Sequence, residues 1–206
     1  MLLSGSITPS YQVYEYLLVL SPNEALREKI QKVKQQFFDD YKASSALFGK
    51  PHVTLANFLQ FEMREDRIVN RLNNISQGYH PIKIEMKDFG CFPSQTIFIN
   101  VTSKDQIQSL VKTIRTETQL LMKLNNDNRP HFILEPRLTI ASKLTPGQFQ
   151  RAWIEYSQKH FSGKFVADNM LLLKRPLGQM KYQIVKRFEF QNMPVNTVQG
   201  GLFDGF

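Results

Sequence analysis

His52 and Thr54 stand one residue apart in an otherwise largely apolar run, Pro51-His52-Val53-Thr54-Leu55-Ala56-Asn57-Phe58-Leu59. In an extended chain successive side chains point to opposite faces. Val53 and Leu55 then turn to a core, and His52 and Thr54 share the other face, about 6.6 Å apart along the strand. An imidazole moves a proton near neutral pH, and a hydroxyl holds an oxygen atom. Together they suit one small polar ligand, although such a pair is by itself also an ordinary surface feature. A second run, eighty-five positions further on, gives the pair more weight: Pro136-Arg137-Leu138-Thr139-Ile140-Ala141-Ser142-Lys143-Leu144. Both runs begin with proline, alternate apolar-Thr-apolar, continue with Ala and reach Leu three residues later. That is the mark of an internal duplication, with one equivalent strand in each half. Two polar faces related by an approximate twofold would look at each other across a cleft. The copies differ at their key position, His52 against Arg137.

The elements that must position these strands are legible in outline. Tyr11 to Leu20 is aromatic and β-branched and reads as a strand, buried on both faces at its Leu-Leu-Val-Leu end. Ser21 as N-cap and Pro22 at the first position start a helix through Asp40. Ala25, Ile30, Val33, Phe37 and Phe38 form its apolar stripe, and Lys29, Lys32 and Lys34 read as its solvated face. Tyr41 to Lys50 is a loop leading to the first motif. A helix spans Glu62 to Gln77 and is closed by Gly78. Pro81 to Phe89 alternates as a half-buried strand, Gly90 to Ser94 turns, and Thr96 to Val101 returns antiparallel. A helix runs from about Ser103 to Leu124, capped by Thr102 or Ser103. Residues 125 to 130 are turn chemistry. His131, six residues before Arg137, reads as an exposed loop histidine, the alternative being a stand-in for a second motif histidine. Thr145-Pro146 starts a helix whose Phe149, Trp153 and Tyr156 read as core rather than as a base-stacking platform. Phe161 to Lys174 and Gly178 to Phe190 read as two long strands joined in a hairpin. Its Lys174, Arg175, Lys181, Lys186 and Arg187 make it the candidate for phosphate-backbone contact, against the alternative of a solvated edge.

Composition sets the frame. The chain has 206 residues and 42% apolar residues, sixteen of them Phe, enough for one domain or two small lobes with a core. No run approaches the roughly 20 apolar residues of a membrane span. The first residues lack the pattern of a signal peptide, and the expectation is a cytoplasmic protein without a membrane partner. A single cysteine, Cys91, excludes an internal disulfide and a thiolate metal cluster. A net charge of +8 favours an anionic partner, although many basic proteins have none.

The paired motifs, His52-Val53-Thr54-Leu55 and Arg137-Leu138-Thr139-Ile140, resemble those of the two-histidine phosphoesterase superfamily, over roughly Tyr11 to Phe190. The likeness is greatest to the small bacterial 2′-5′ RNA ligase family proteins and extends to 2′,3′-cyclic phosphodiesterases. The resemblance implies an α+β fold of two pseudo-symmetric lobes, with antiparallel sheets lining a central cleft and helices outside. Residues 1–190 would form this bilobal unit, and 191–206 a flexible tail. In the family two histidines flank a phosphate, one as general base and one as general acid, and two threonines hold its nonbridging oxygens, without metal or other cofactor. Carried over, the catalytic set is His52, Thr54 and Thr139, and the phosphate ligands are Arg137, Thr54 and Thr139. The partner would be RNA or a nucleotide with a cyclic or terminal phosphate. Arg137 stands where the family has its second histidine, and a guanidinium presents donors only. The protein is then a slow or altered phosphoesterase, or a noncatalytic phosphate or RNA binder using the same cleft. An ion pair of Arg137 with Glu135 is the structural alternative. The end of the chain, Gln199-Gly200-Gly201-Leu202-Phe203, resembles peptides that dock on the bacterial sliding clamp, with Gln199, Leu202 and Phe203 as anchors. A self-packing or disordered end is the alternative.

Overall fold

Strand β1 (Val13–Leu20) is buried along its whole second half, as its Leu-Leu-Val-Leu run requires, because it lies inside a five-stranded sheet. The computed structural model describes residues 11–93 and 95–192. In chain order β1 is followed by α1 (Glu24–Tyr41), a 3₁₀ turn at Ser44–Leu47, β2 (Val53–Phe61) and α2 (Glu65–Gln77). Then come β3 (Ile82–Phe92), β4 (Thr96–Val101), α3 (Asp105–Met122), β5 (His131–Phe132), β6 (Arg137–Ala141) and α4 (Pro146–Tyr156). The last strands are β7 (Ser162–Ala167), β8 (Asn169–Pro176) and β9 (Gln183–Glu189). The first sheet has the order β5-β2-β1-β8-β9 and the second β6-β4-β3-β7, and every pairing is antiparallel. Helices α2 and α3 pack on the first sheet, and α1 and α4 on the second. The fold is α+β, with a cleft between two antiparallel sheets.

Several local expectations are corrected. Asn23, not Ser21, caps α1: its Oδ1 accepts the Leu26 N–H at 3.1 Å, so the helix begins at Glu24, after Pro22. Neither Thr102 nor Ser103 caps α3. Their hydroxyls are taken by β3, Ser103 Oγ accepting the Glu85 N–H at 2.8 Å and Thr102 Oγ1 donating to the Glu85 carbonyl at 3.2 Å. The long strand read over Phe161 to Lys174 is two strands. Ala167 pairs with Ile82 in the second sheet, whereas Asn169 pairs with Glu189 in the first, so the chain changes sheets at Asp168. The strand period on either side of Asp168 does not by itself report such a change, because both halves keep it. Thr145 does cap α4, in a capping box with Gln148, and Tyr156 is buried core.

The aromatic residues tie α1 and α4 to the second sheet. Phe37 lies 4.9 Å from Tyr41 and 5.1 Å from Tyr156, and Phe89 of β3 lies 4.9 Å from Tyr156. This wall holds β3 and β4 from behind, and with them the strand that carries Arg137.

Candidate functional site

The two motifs form strands with the same irregularity. In β2, Val53 and Leu55 are fully buried on the helix side, while His52, just before the strand, and Thr54 are half-buried on the other side. Alternation breaks after Thr54. Val19 pairs with Thr54 but Leu18 with Ala56, so Leu55 is an extra residue, a β-bulge. Leu55 and Ala56 are therefore both buried, and Asn57 follows Thr54 on the open face, exposed. In β6, Leu138, Ile140 and Ala141 are buried, Arg137 is half-buried and Thr139 exposed. Phe98 pairs with Thr139 but Ile97 with Ala141, which makes Ile140 the extra residue. The alanine that ends each motif fits this bulge, where two consecutive side chains must enter the core. Strands β2 and β6 belong to different sheets, yet their Cα atoms come within 8 Å of one another. The strand that follows His52 and carries Thr54, and the strand that carries Arg137 and Thr139, thus come close where the two sheets meet.

His52 is held in one tautomer. Its Nδ1 lies 2.8 Å from the carbonyl of Lys50. A carbonyl oxygen only accepts, so Nδ1 carries the proton and Nε2 keeps the lone pair of a neutral base. Burial pushes the His52 pKa down, the Lys50 carbonyl opposes this, and the nearby charge of Lys34 lowers it further. The imidazole is thereby kept neutral at pH 7, in the form that can accept a proton.

Arg137 is fixed by aromatic rings. Its guanidinium carbon sits 4.3 Å from the centre of the Phe92 ring and 5.8 Å from that of Phe98, and the two rings lie 4.7 Å apart. Gly90 permits this: a Cβ there would meet the Phe98 ring and Asn100 Oδ1 at 2.6 Å. One guanidinium N–H donates to the Glu135 carbonyl at 3.2 Å. The alternative, an ion pair with the Glu135 carboxylate, is absent among the described contacts, because that carboxylate holds Lys104 instead, at 2.7 Å. Burial lowers the Arg137 pKa, partly offset by the charge of Glu135; a guanidinium remains a cation at neutral pH all the same. A planar cation braced on rings is prepared to grip a phosphate through two parallel hydrogen bonds.

Lys34, expected on a solvated face, is 6% exposed. Its ammonium donates to the Phe48 carbonyl at 3.2 Å, in the loop that leads to His52, and no carboxylate pairs with it among the described residues. Burial pulls its pKa down to about 8. The signal was in the spacing: Lys34 lies four residues after Ile30 and three before Phe37, on the buried stripe itself. Phe92 and Phe98 carried no such signal, because only strand pairing brings them under Arg137.

The other sequence candidates separate clearly. His131 is not in a loop but in β5, exposed, paired with Asn57 of β2. The hairpin of β8 and β9 is less basic than its sequence. Lys174 holds Glu62 and Glu65 at 2.9 and 2.8 Å, Arg175 holds Glu15 at 2.7 Å, and Arg187 holds Glu189 at 2.7 Å. Among the described residues no cluster of His, Cys, Asp and Glu could hold a metal ion, and no helix is long and apolar enough to cross a membrane. Gln199, Leu202 and Phe203 lie outside the described residues.

A family model described as the 2′-5′ RNA ligase superfamily matches residues 22–179. No curated protein matches the chain in sequence. Among solved structures, E. coli LigT in its apo form is 13% identical, with a TM-score of 0.62 over 87% of this chain and 98% of that one. LigT complexed with 3′-AMP is 14% identical, with the same score and coverage. TT0787 of Thermus thermophilus is 12% identical, with a TM-score of 0.63 over 86% of this chain and 98% of that one.

Proposed function

This chain belongs to the 2′-5′ RNA ligase superfamily of two-histidine phosphoesterases, and we propose that it binds the phosphate of an RNA end or nucleotide where β2 and β6 meet. His52 Nε2 is the single proton-transfer group. Arg137, Thr54 and Thr139 hold phosphate oxygens. The observation that carries this reading is the Nδ1–H hydrogen bond to Lys50, which leaves a neutral Nε2 beside Thr54. LigT, with this fold, has been crystallised with 3′-AMP, ATP, NADP+ and phosphate, all phosphate ligands.

For a 2′,3′-cyclic phosphate the step is hydrolysis. Water attacks phosphorus and gives its proton to Nε2; the new P–O bond forms, one ring P–O bond breaks, and the departing ribose oxygen takes a proton. In the two-histidine arrangement a second imidazole delivers that last proton. Arg137 cannot, and the protonated His52 or solvent must do so. What Arg137 supplies is charge on the phosphate as negative charge accumulates in the transition state. The expected enzyme is slow, and a binder without turnover is the second reading, favoured by the same guanidinium.

The test is incubation of the protein with a 2′,3′-cyclic nucleotide, without metal, beside Arg137→Ala and Arg137→His. Arg137→Ala is expected to weaken binding of a phosphate ligand about 10- to 100-fold, the worth of a charged hydrogen bond. Arg137→His is expected to raise turnover, since it restores a proton donor. An inert wild type with an active Arg137→His selects the binder. If neither variant changes binding or turnover, the reading falls. Tail docking on a sliding clamp rests on the pattern at Gln199, Leu202 and Phe203 alone, and loss of clamp binding on deletion of 199–206 is its test.

A further inference from the structure

A groove of about 530 Å³ runs between α3 and the edge strand β5. Arg115, Lys123, Arg129 and His131 line it, Leu120 and Phe132 give it apolar surface, and no acidic residue is among its lining. None of the four basic residues has a carboxylate partner among the described residues. Among the described residues the side chains of Lys123 and Arg129 bond to Asn126, through its side-chain oxygen at 2.7 Å and its carbonyl at 3.2 Å. In the β8–β9 hairpin, by contrast, Lys174, Arg175 and Arg187 are paired with carboxylates. Uncompensated positive charge therefore collects at α3 and β5.

The groove connects with the cleft. His131 pairs directly with Asn57, and residues opposite one another in an antiparallel pair project to the same face. Asn57 follows Thr54 on the open face because of the bulge at Leu55. His131 is thus roughly 8 Å from Thr54 measured along and across the strands, and beyond it lie the α3 cations.

We propose that this groove binds the sugar–phosphate backbone of a single-stranded RNA whose terminal phosphate lies in the cleft. The proposal rests on the phosphate-binding reading of the cleft given above. Arg115, Lys123 and Arg129 neutralise successive phosphates, while Leu120 and Phe132 offer apolar contact to a sugar or base. The preferred ligand is then an oligonucleotide end rather than a mononucleotide.

The test compares a 3′-mononucleotide with a tetraribonucleotide ending in a 3′-phosphate, both measured for affinity against salt. The variant is the full chain with Arg115→Gln, Lys123→Gln and Arg129→Gln, and the control removes two charges elsewhere, Lys181→Gln and Lys186→Gln; unchanged melting confirms that each folds. The triple variant is expected to bind the tetranucleotide at least tenfold more weakly and to flatten its log–log salt slope by about 2, the release expected for three single-strand phosphates. Its affinity for the mononucleotide stays within twofold, and the hairpin variant binds both as the wild type does. Unchanged tetranucleotide affinity and slope would overturn the proposal, as would an equal loss for the mononucleotide or in the hairpin variant. Equal affinity for an acidic peptide of the same charge overturns the assignment to RNA. Failure of the cleft reading looks different: Arg137→Ala would leave both ligands unaffected while the triple variant still lost the tetranucleotide.

Discussion

His52→Ala is expected to lower the turnover of a 2′,3′-cyclic nucleotide by about 10² to 10⁴, the usual worth of a positioned acid or base. The loss should be near the upper end, because in the proposed reading His52 is the single proton-transfer group and Arg137 donates only. The fold should survive, since His52 precedes β2 and, among the described residues, its ring bonds to the Lys50 carbonyl alone. The substitution separates rate from binding. Arg137, Thr54 and Thr139 remain, so affinity for a phosphate ligand should change little while hydrolysis slows by that factor. The wild-type rate should also fall on the acid side as Nε2 becomes protonated, at a pH below the ordinary histidine value, because burial and Lys34 both lower the pKa. Activity that persists in His52→Ala with the same acid limb would remove His52 from the chemistry.

Lys34→Met is expected to stabilise the protein. A pKa of about 8 in place of 10.5 corresponds to about 3 kcal/mol against the buried ammonium, an upper figure for what the substitution recovers at pH 7. The sign follows from proton counting. The unfolded chain keeps this proton up to pH 10.5 and the folded protein releases it near pH 8, so wild-type stability should rise with pH between those values. Below pH 8 both forms are protonated and the full cost is present. In the variant that rise should vanish from denaturant melts, and the His52 pKa, followed by its imidazole proton resonances, should move up once the neighbouring cation is gone. A variant no more stable than wild type, with unchanged His52 titration, would show that the amine does not act through its charge.

The two strands of the site were legible because strand alternation is a strict rule, and because repetition of Pro, Thr, Ala and Leu distinguishes a motif from chance. The alanines carried more information than alternation could reveal: Ala56 and Ala141 follow the extra residue of each bulge, which only pairing with β1 and β4 discloses. For Lys34 residue type and position point opposite ways, and position prevails: a lysine on the Ile30–Phe37 stripe is buried whatever its polarity. The Phe92–Phe98 platform and the change of sheet at Asp168 arise between segments distant in sequence, where no local period exists to report them. Ser21, Thr102 and Ser103 suit the cap position by type, because a serine or threonine before a helix usually is a cap. Here Asn23 serves α1, and β3 takes the hydroxyls of Thr102 and Ser103.

The change of sheet at Asp168 also governs when the site can exist. Strand β1, near the start of the chain, is hydrogen-bonded on one side to β2 and on the other to β8, whose residues 169–176 are among the last of the described chain. Until β8 arrives, β1 is an unpaired edge of apolar residues, the kind of surface that associates wrongly when it waits. Strand β1, which supports β2 directly after His52, therefore gains its second partner only once residues 169–176 have been made. Pairings that span so much of the chain are slow to close. The two sheets are interlaced parts rather than a first lobe and a second made in turn, and a chain cut between the motifs should yield neither half of the cleft.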